Sequence, residues 1–165
     1  MVYYDYGAAG ELRRVSLDGS GKVQKAPGTT VSQDYSYSGN RFGLSLDGKQ
    51  LAFLVSRVSE EAVGTVSIVL ANIAAGGEAR LLKPDPRISG DPEFTRDGKS
   101  LAYPILENGV ENIFVQPLDS SPGRKITNFG ADYIVEFYWS PDGKTLGVLR
   151  THSDSDVVLL QESKQ

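Results

Sequence analysis

The sequence contains one histidine, His152, within Thr151-His152-Ser153-Asp154-Ser155-Asp156. Serine, histidine and aspartate this close supply the residue types of a hydrolytic triad, in which imidazole takes the hydroxyl proton and a carboxylate orients the ring. Triad members converge from separate elements, however, not from one short run. The segment therefore reads as a polar hairpin loop. Asp154 and Asp156 could contribute oxygens to a calcium ion, but the glycine and bidentate glutamate of a calcium loop are missing. There are no cysteines, which excludes thiolate nucleophiles, disulfides and Cys-ligated zinc. Neither G-x-S-x-G nor a kinase catalytic loop is present. The sequence thus assigns no catalytic residue, no metal and no cofactor, and the expectation is a chain that is not itself an enzyme.

Composition narrows the class further. The 165 residues are 39% hydrophobic and 23% charged, ordinary for a globular domain with a real core. Seventeen Lys and Arg against 21 Asp and Glu leave a net charge of -4 and a pI near 5.0, which speaks against nucleic acid as a partner. No apolar stretch is long enough to span a bilayer, so direct membrane insertion is not expected. Met1 to Gly10 is tyrosine-rich and lacks the basic start and apolar core of a signal peptide. Eighteen glycines indicate many tight turns, and β-formers come in short runs.

An internal repeat determines the architecture. Leu44-Ser45-Leu46-Asp47-Gly48-Lys49-Gln50-Leu51-Ala52-Phe53, Phe94-Thr95-Arg96-Asp97-Gly98-Lys99-Ser100-Leu101-Ala102-Tyr103 and Trp139-Ser140-Pro141-Asp142-Gly143-Lys144-Thr145-Leu146-Gly147-Val148 share one pattern. In each, an apolar residue ends a strand and Ser or Thr follows. Asp-Gly then provides the positive-φ position of a tight turn, and a small residue between two apolar ones opens a half-buried strand. Asp47, Gly48, Asp97, Gly98, Asp142 and Gly143 are accordingly turn formers. Ile68 to Phe94 and Ile113 to Trp139 are both 26 residues, whereas Phe53 to Ile68 is 15 and Tyr103 to Ile113 is 10. The repeat varies only in the loop Arg57 to Thr65, where Ser59 to Val63 could form one helical turn.

Each unit holds four strands. Strand a ends at Leu44, Phe94 or Trp139, and strand b carries Leu51 to Leu54, Leu101 to Ile105 or Leu146 to Leu149. Strand c carries Val66 to Ile73, Ile113 to Leu118 or Val157 to Leu160, and strand d carries Ala79 to Leu82 or Arg124 to Thr127. Four antiparallel strands in roughly 45 residues is the size of a propeller blade. Leu12 to Asp18 aligns with Ile113 to Asp119 as a strand c, which makes Val2 to Tyr6 a strand b. The fold class is all-β, a β-propeller segment of two complete blades (37–86 and 87–131) flanked by partial ones (1–36, strands b-c-d; 132–165, strands a-b-c).

Propellers bind at the face where d–a and b–c loops gather. Tyr35, Tyr37, Arg57, Arg87, Asp91, Asp132, Tyr133 and His152 fall there and are of types favoured in recognition patches. They are the candidate site for a protein or peptide partner, or a small ligand. Trp139, aligned with Leu44 and Phe94, reads as packing between blades.

The Trp139-Ser140-Pro141-Asp142-Gly143-Lys144 motif and its two looser copies resemble the WD40-like repeats of the TolB family, over most of the chain from about Tyr37. Ser155 to Leu160 also looks like the C-terminus of propellers appended to bacterial receptor-type serine/threonine kinases. The resemblance implies a binding or sensing scaffold, with an extracytoplasmic (periplasmic) location. TolB binds other envelope proteins, and related repeats gate the peptidase domain of prolyl-oligopeptidase-like enzymes, so an accessory propeller of a larger enzyme is the alternative. Family propellers usually have about six blades. The blade count here implies a piece of a larger propeller, or a ring completed by a homodimer through the strand edges at Val2–Tyr6 and Val157–Leu160.

Overall fold

The computed structural model describes residues 2–5, 11–16, 18–58 and 65–152. Its described residues are all-β, with no helix among them, and form antiparallel sheets that follow one another along the chain. Blade I contains β1 (Val2–Asp5), β2 (Glu11–Val15) and β3 (Val23–Lys25). Blade II contains β4 (Tyr35–Leu44), β5 (Gln50–Arg57), β6 (Val66–Asn72) and β7 (Arg80–Leu82). Blade III contains β8 (Glu93–Phe94), β9 (Ser100–Glu107), β10 (Val110–Pro117) and β11 (Arg124–Lys125). Blade IV shows β12 (Tyr133–Trp139) and β13 (Leu146–Thr151). The helical turn expected at Ser59 to Val63 and the strand expected at Val157 to Leu160 lie outside the described residues.

The repeated hairpin has one structure in three copies. Leu44 pairs with Leu51, Phe94 with Leu101 and Trp139 with Leu146. The Ser45 hydroxyl donates to Asp47 Oδ1 (2.7 Å) and accepts the Gln50 N–H (2.9 Å), while Asp47 Oδ1 also accepts the Lys49 N–H (3.1 Å). Thr95 with Asp97 and Ser140 with Asp142 repeat each bond. Gly48, Gly98 and Gly143 have φ of 68°, 67° and 70°, and their N–H groups donate to the carbonyls of Ser45, Thr95 and Ser140. The hydroxyl is thus what joins the carboxylate to the strand that follows. The same hydroxyl, first among causes, holds each of the three aspartates below its usual carboxyl range.

The b strands are more deeply buried than a half-buried alternation implies. Leu51 to Val55 and Leu101 to Ile105 are buried without interruption. The two sides of one strand serve different cores. Leu51, Phe53 and Val55 pack with Leu12 and Ala26 of blade I, whereas Ala52 and Leu54 pack with Phe94, Leu101, Tyr103 and Ile105 of blade III. Ala102 and Ile113 then meet Phe137, with Trp139 and Val148 beside them. The small residue in the b strands of blades II and III, Ala52 and Ala102, faces the next blade. Leu44 departs from its aligned partners: Phe94 is buried and Trp139 is half-buried, but Leu44 is 47% exposed. It lines a cleft with Leu46, Tyr138 and Trp139.

Strand a of blades II, III and IV is kinked by an irregularity in its pairing. Register shifts between Tyr37 and Phe42, and between Ile134 and Glu136. In blade III, Ile88 bridges Ile105 before Glu93 pairs with Ala102, so Ser89 to Pro92 bulge likewise. Below the bulge β4 and β8 approach closely, and a Cβ on Gly43 would run into the Pro92 carbonyl oxygen.

Two outcomes follow for stability. Gly43→Val, which forces those backbones apart, should cost roughly 1–3 kcal/mol, whereas Gly98→Ala, in open space but at positive φ, should cost only about 1 kcal/mol. Urea midpoints rank the two. Because the turn aspartates have folded pKa values below their unfolded ones, their stabilisation is present above the unfolded value and is lost as pH falls through the folded one. Acid should therefore unfold Asp97→Asn with a shallower pH slope below about pH 4 than the parent.

Candidate recognition face and inner wall

The bulges bring three blades to one place. Asp91 Oδ2, in the blade III bulge, accepts the backbone N–H groups of Asn40 and Arg41 at 3.0 Å each. Arg41 then reaches blade IV: its guanidinium donates to the Tyr138 hydroxyl (2.7 Å) and the Val135 carbonyl (3.2 Å) and pairs with Glu136 (3.2 Å). Arg41, Asp91, Val135 and Glu136, with Glu93 and Pro104, line a cavity of about 150 Å³. Burial pushes the Asp91 carboxyl up and raises that of Glu93 to about 7. Asp91 Oδ1 is buried without a hydrogen-bond partner.

A second cluster occupies the d–a connection into blade III. Arg87 pairs with Asp85 and with Glu107 at the end of β9 (both 2.8 Å), and Lys125 of β11 adds a contact to Glu107 at 3.4 Å. Hydrogen bonds from Arg87 hold the Asp85 carboxyl low, and those from Lys125 and then Arg87 do so for Glu107. Beneath this cluster the Tyr103 hydroxyl accepts the Asp85 N–H (2.9 Å) and donates to Gln116 (2.6 Å). Burial raises the Tyr103 phenol to about 12.

The third cluster sits where blade III passes into blade IV. Asp132, at φ 70°, faces His152 (2.9 Å) and Arg150 (3.2 Å). The Arg150 guanidinium lies 4.1 Å from the Phe129 ring centroid and also donates to the Ala131 carbonyl. Two buried polar residues of β10 build this connection. Asn112 Oδ1 accepts from the Thr127 hydroxyl (2.9 Å) and the Phe129 N–H (2.7 Å). Glu111 Oε2 accepts the Ile134 N–H at 2.6 Å, and the Glu111 N–H donates to the Asp132 carbonyl at 3.1 Å.

The sequence candidates thus separate into groups. Asp132 and His152 form one cluster, with Tyr133 41% exposed at its edge. Arg87 belongs to the second cluster and Asp91 to the inner wall. Tyr35 and Arg57 face each other across β4 and β5. Tyr37 packs on Phe53 at 5.9 Å and donates to the Arg41 carbonyl (2.9 Å), so it supports the wall from behind. The turn aspartates lie at the opposite end of the blades, where Ile73 and Leu118 N–H groups donate to the Lys49 and Lys99 carbonyls. Sequence reasoning did not single out Arg41, Glu93, Glu136 and Tyr138. The available signal was charge within strands a, close to the aligned apolar residues Leu44, Phe94 and Trp139. Among the described residues no cluster of three or more His, Asp or Glu could hold a metal ion.

Sheets of this kind, packed face to face around bulged inner strands, define a β-propeller segment. Known structures agree. An oligogalacturonate lyase from Vibrio parahaemolyticus matches 86% of the chain with TM-score 0.64 at 17% identity. A protein described as TolB from Agrobacterium tumefaciens matches 85% with TM-score 0.59 at 28% identity. A prolyl endopeptidase structure matches 85% with TM-score 0.55 at 20% identity. Among curated proteins, 103 residues (61% of the chain) are 33% identical to a protein of Streptomyces coelicolor described as tricorn protease homolog 2. The chain spans 8% of that relative and 41%, 47% and 22% of the three solved chains. No family model matches the chain.

Removal of the buried Asn112 amide should show how far the third cluster depends on it. Asn112→Ala leaves the Phe129 N–H and the Thr127 hydroxyl without their acceptor and should cost about 1–3 kcal/mol. Hydrogen exchange at Phe129 should speed up by at least as much as global stability falls.

Proposed function

We propose that the chain is a non-catalytic recognition segment of a larger β-propeller protein, with its partner bound where the d–a connections and b–c hairpins converge. The observation that carries this reading is the convergence of three blades on the wall formed by Arg41, Asp91 and Glu136, flanked by the Arg87 and Asp132 clusters. Arginine and tyrosine on a rigid framework provide directional hydrogen bonding and stacking at little entropic cost. His152 is hydrogen-bonded to a carboxylate and lies on an exposed rim.

A second reading is favoured by two of the likenesses. Those to a tricorn protease homolog and to prolyl endopeptidases support the segment as part of a propeller that accompanies a peptidase domain. In that arrangement the same face would select or admit substrate for a catalytic domain elsewhere. The receptor-kinase form of this reading rests on the resemblance of Ser155 to Leu160.

Calorimetric titration with a peptide panel, together with assays for peptide and oligogalacturonate turnover, tests the proposal. Saturable binding without turnover is expected, with affinity lowered about tenfold, or ~1.4 kcal/mol, by Arg87→Ala or Asp132→Ala. Turnover that disappears in His152→Ala would overturn the non-catalytic reading.

A further inference from the structure

Glu93 occupies an unusual place in the inner wall. Its carboxyl is half-buried in the cavity shared by blades II, III and IV, and among the described residues none donates a hydrogen bond to it. Its backbone cannot withdraw, because β8 is pressed against Gly43 of β4. Nearby is Arg41, whose long side chain is 41% exposed and whose partner Glu136 is 42% exposed. Solvent screens such an exposed pair, which is therefore weakly held.

We propose that Glu93 is a proton-controlled switch: on losing its proton it draws the Arg41 guanidinium away from Glu136 and Tyr138, releasing the direct tie between blades II and IV. With the proton on, Glu93 is a neutral wall residue and Arg41 spans the cavity to blade IV, the arrangement in the structure. With the proton off, a half-buried carboxylate without a donor shares the cavity with a guanidinium, and charge-assisted bonding to the less solvated anion is the stronger of the two.

The charged surroundings act in both directions. From the blade III bulge, Asp91 opposes ionisation, and from β4, Arg41 favours it. From β12 come Glu136 and the Tyr138 phenol, and from the a–b turn of blade III comes Arg96, whose guanidinium donates to the Pro141 carbonyl (2.8 and 3.1 Å). Ala102, paired with Glu93 across β9, adds no charge. Burial outweighs the attraction of Arg41 and places the Glu93 midpoint at about 7. The folded value lies above the ordinary glutamate value of 4.5, so the stability this group contributes is full below the unfolded pKa. It declines as pH rises toward the folded one.

Side-chain NMR across a pH titration of the intact chain tests the switch. The Glu93 carboxyl carbon is expected to titrate near neutrality. The Arg41 Nε and Tyr138 ring resonances should move with the same midpoint, and in Glu93→Gln, which keeps shape and removes the charge, they should stay fixed over that range. A Glu93 midpoint in the usual glutamate range overturns the proposal. So do Arg41 and Tyr138 signals that stay still through the Glu93 midpoint, or that still move in Glu93→Gln. Coincidence of midpoints in the parent chain is decisive even if the variant fails to fold.

Discussion

The structure depends on a sheet that must be covered on both sides. Strand b of each complete blade buries every side chain from Leu51 to Val55 or from Leu101 to Ile105, so neither face can be left to water without exposing a continuous apolar surface. A neighbour is required on each side, and the two neighbours are not equivalent. Large residues on one side and alanine or a single leucine on the other let one blade project into the next, which is how stacked repeats share their cores. Everything else serves this stacking. The hairpin turns set the register that keeps the alternation in phase, and the bulges let the inner strands bend where three sheets crowd together.

Polar chemistry is distributed unevenly over this frame. At the a–b and c–d end, the turn aspartates bond locally: Asp47, Asp97 and Asp142 within their own hairpins, and Asp18 and Asp119 with Ser20 and Ser121 two positions on, while the Arg96 side chain reaches the Pro141 carbonyl of the next a–b turn. At the other end bonds cross between elements. Asp91 joins blade III to blade II, Arg41 joins blade II to blade IV, and Glu111 joins β10 to β12. Groups that are mutually dependent can be rearranged by a ligand or a proton, whereas groups closed upon themselves cannot. The second end therefore has the properties of a working surface.

How much of this was legible in the sequence depends on range. The hairpins were legible because hydroxyl, carboxylate and glycine lie within six residues of each other and recur. The blade order followed from the spacing of apolar runs. Two-sided burial was underread: Leu51-Ala52-Phe53 looks like alternation, and only the presence of a blade on each side makes Ala52 as buried as Leu51. Leu44, read by alignment as equivalent to Phe94, is exposed because it meets a cleft and not a sheet. The inner wall was the least legible part. Asp91 was singled out, but its partners Asn40 and Arg41 lie 51 and 50 residues away, and no local pattern ties a bulge in one blade to a bulge in the next.

The self-contained turns have a practical meaning for handling the molecule. Lys49, Lys99 and Lys144 all ride on the same end of the blades, each donating its backbone N–H to the turn aspartate, with all three side chains exposed and only an exposed 3.7 Å pairing of Lys49 with Asp47 to lose. An amine-reactive surface or a grafted anchor would have attachment points there at which little structure is at stake. Chains held by that end would share one orientation, with their inner walls and rims turned toward whatever flows past.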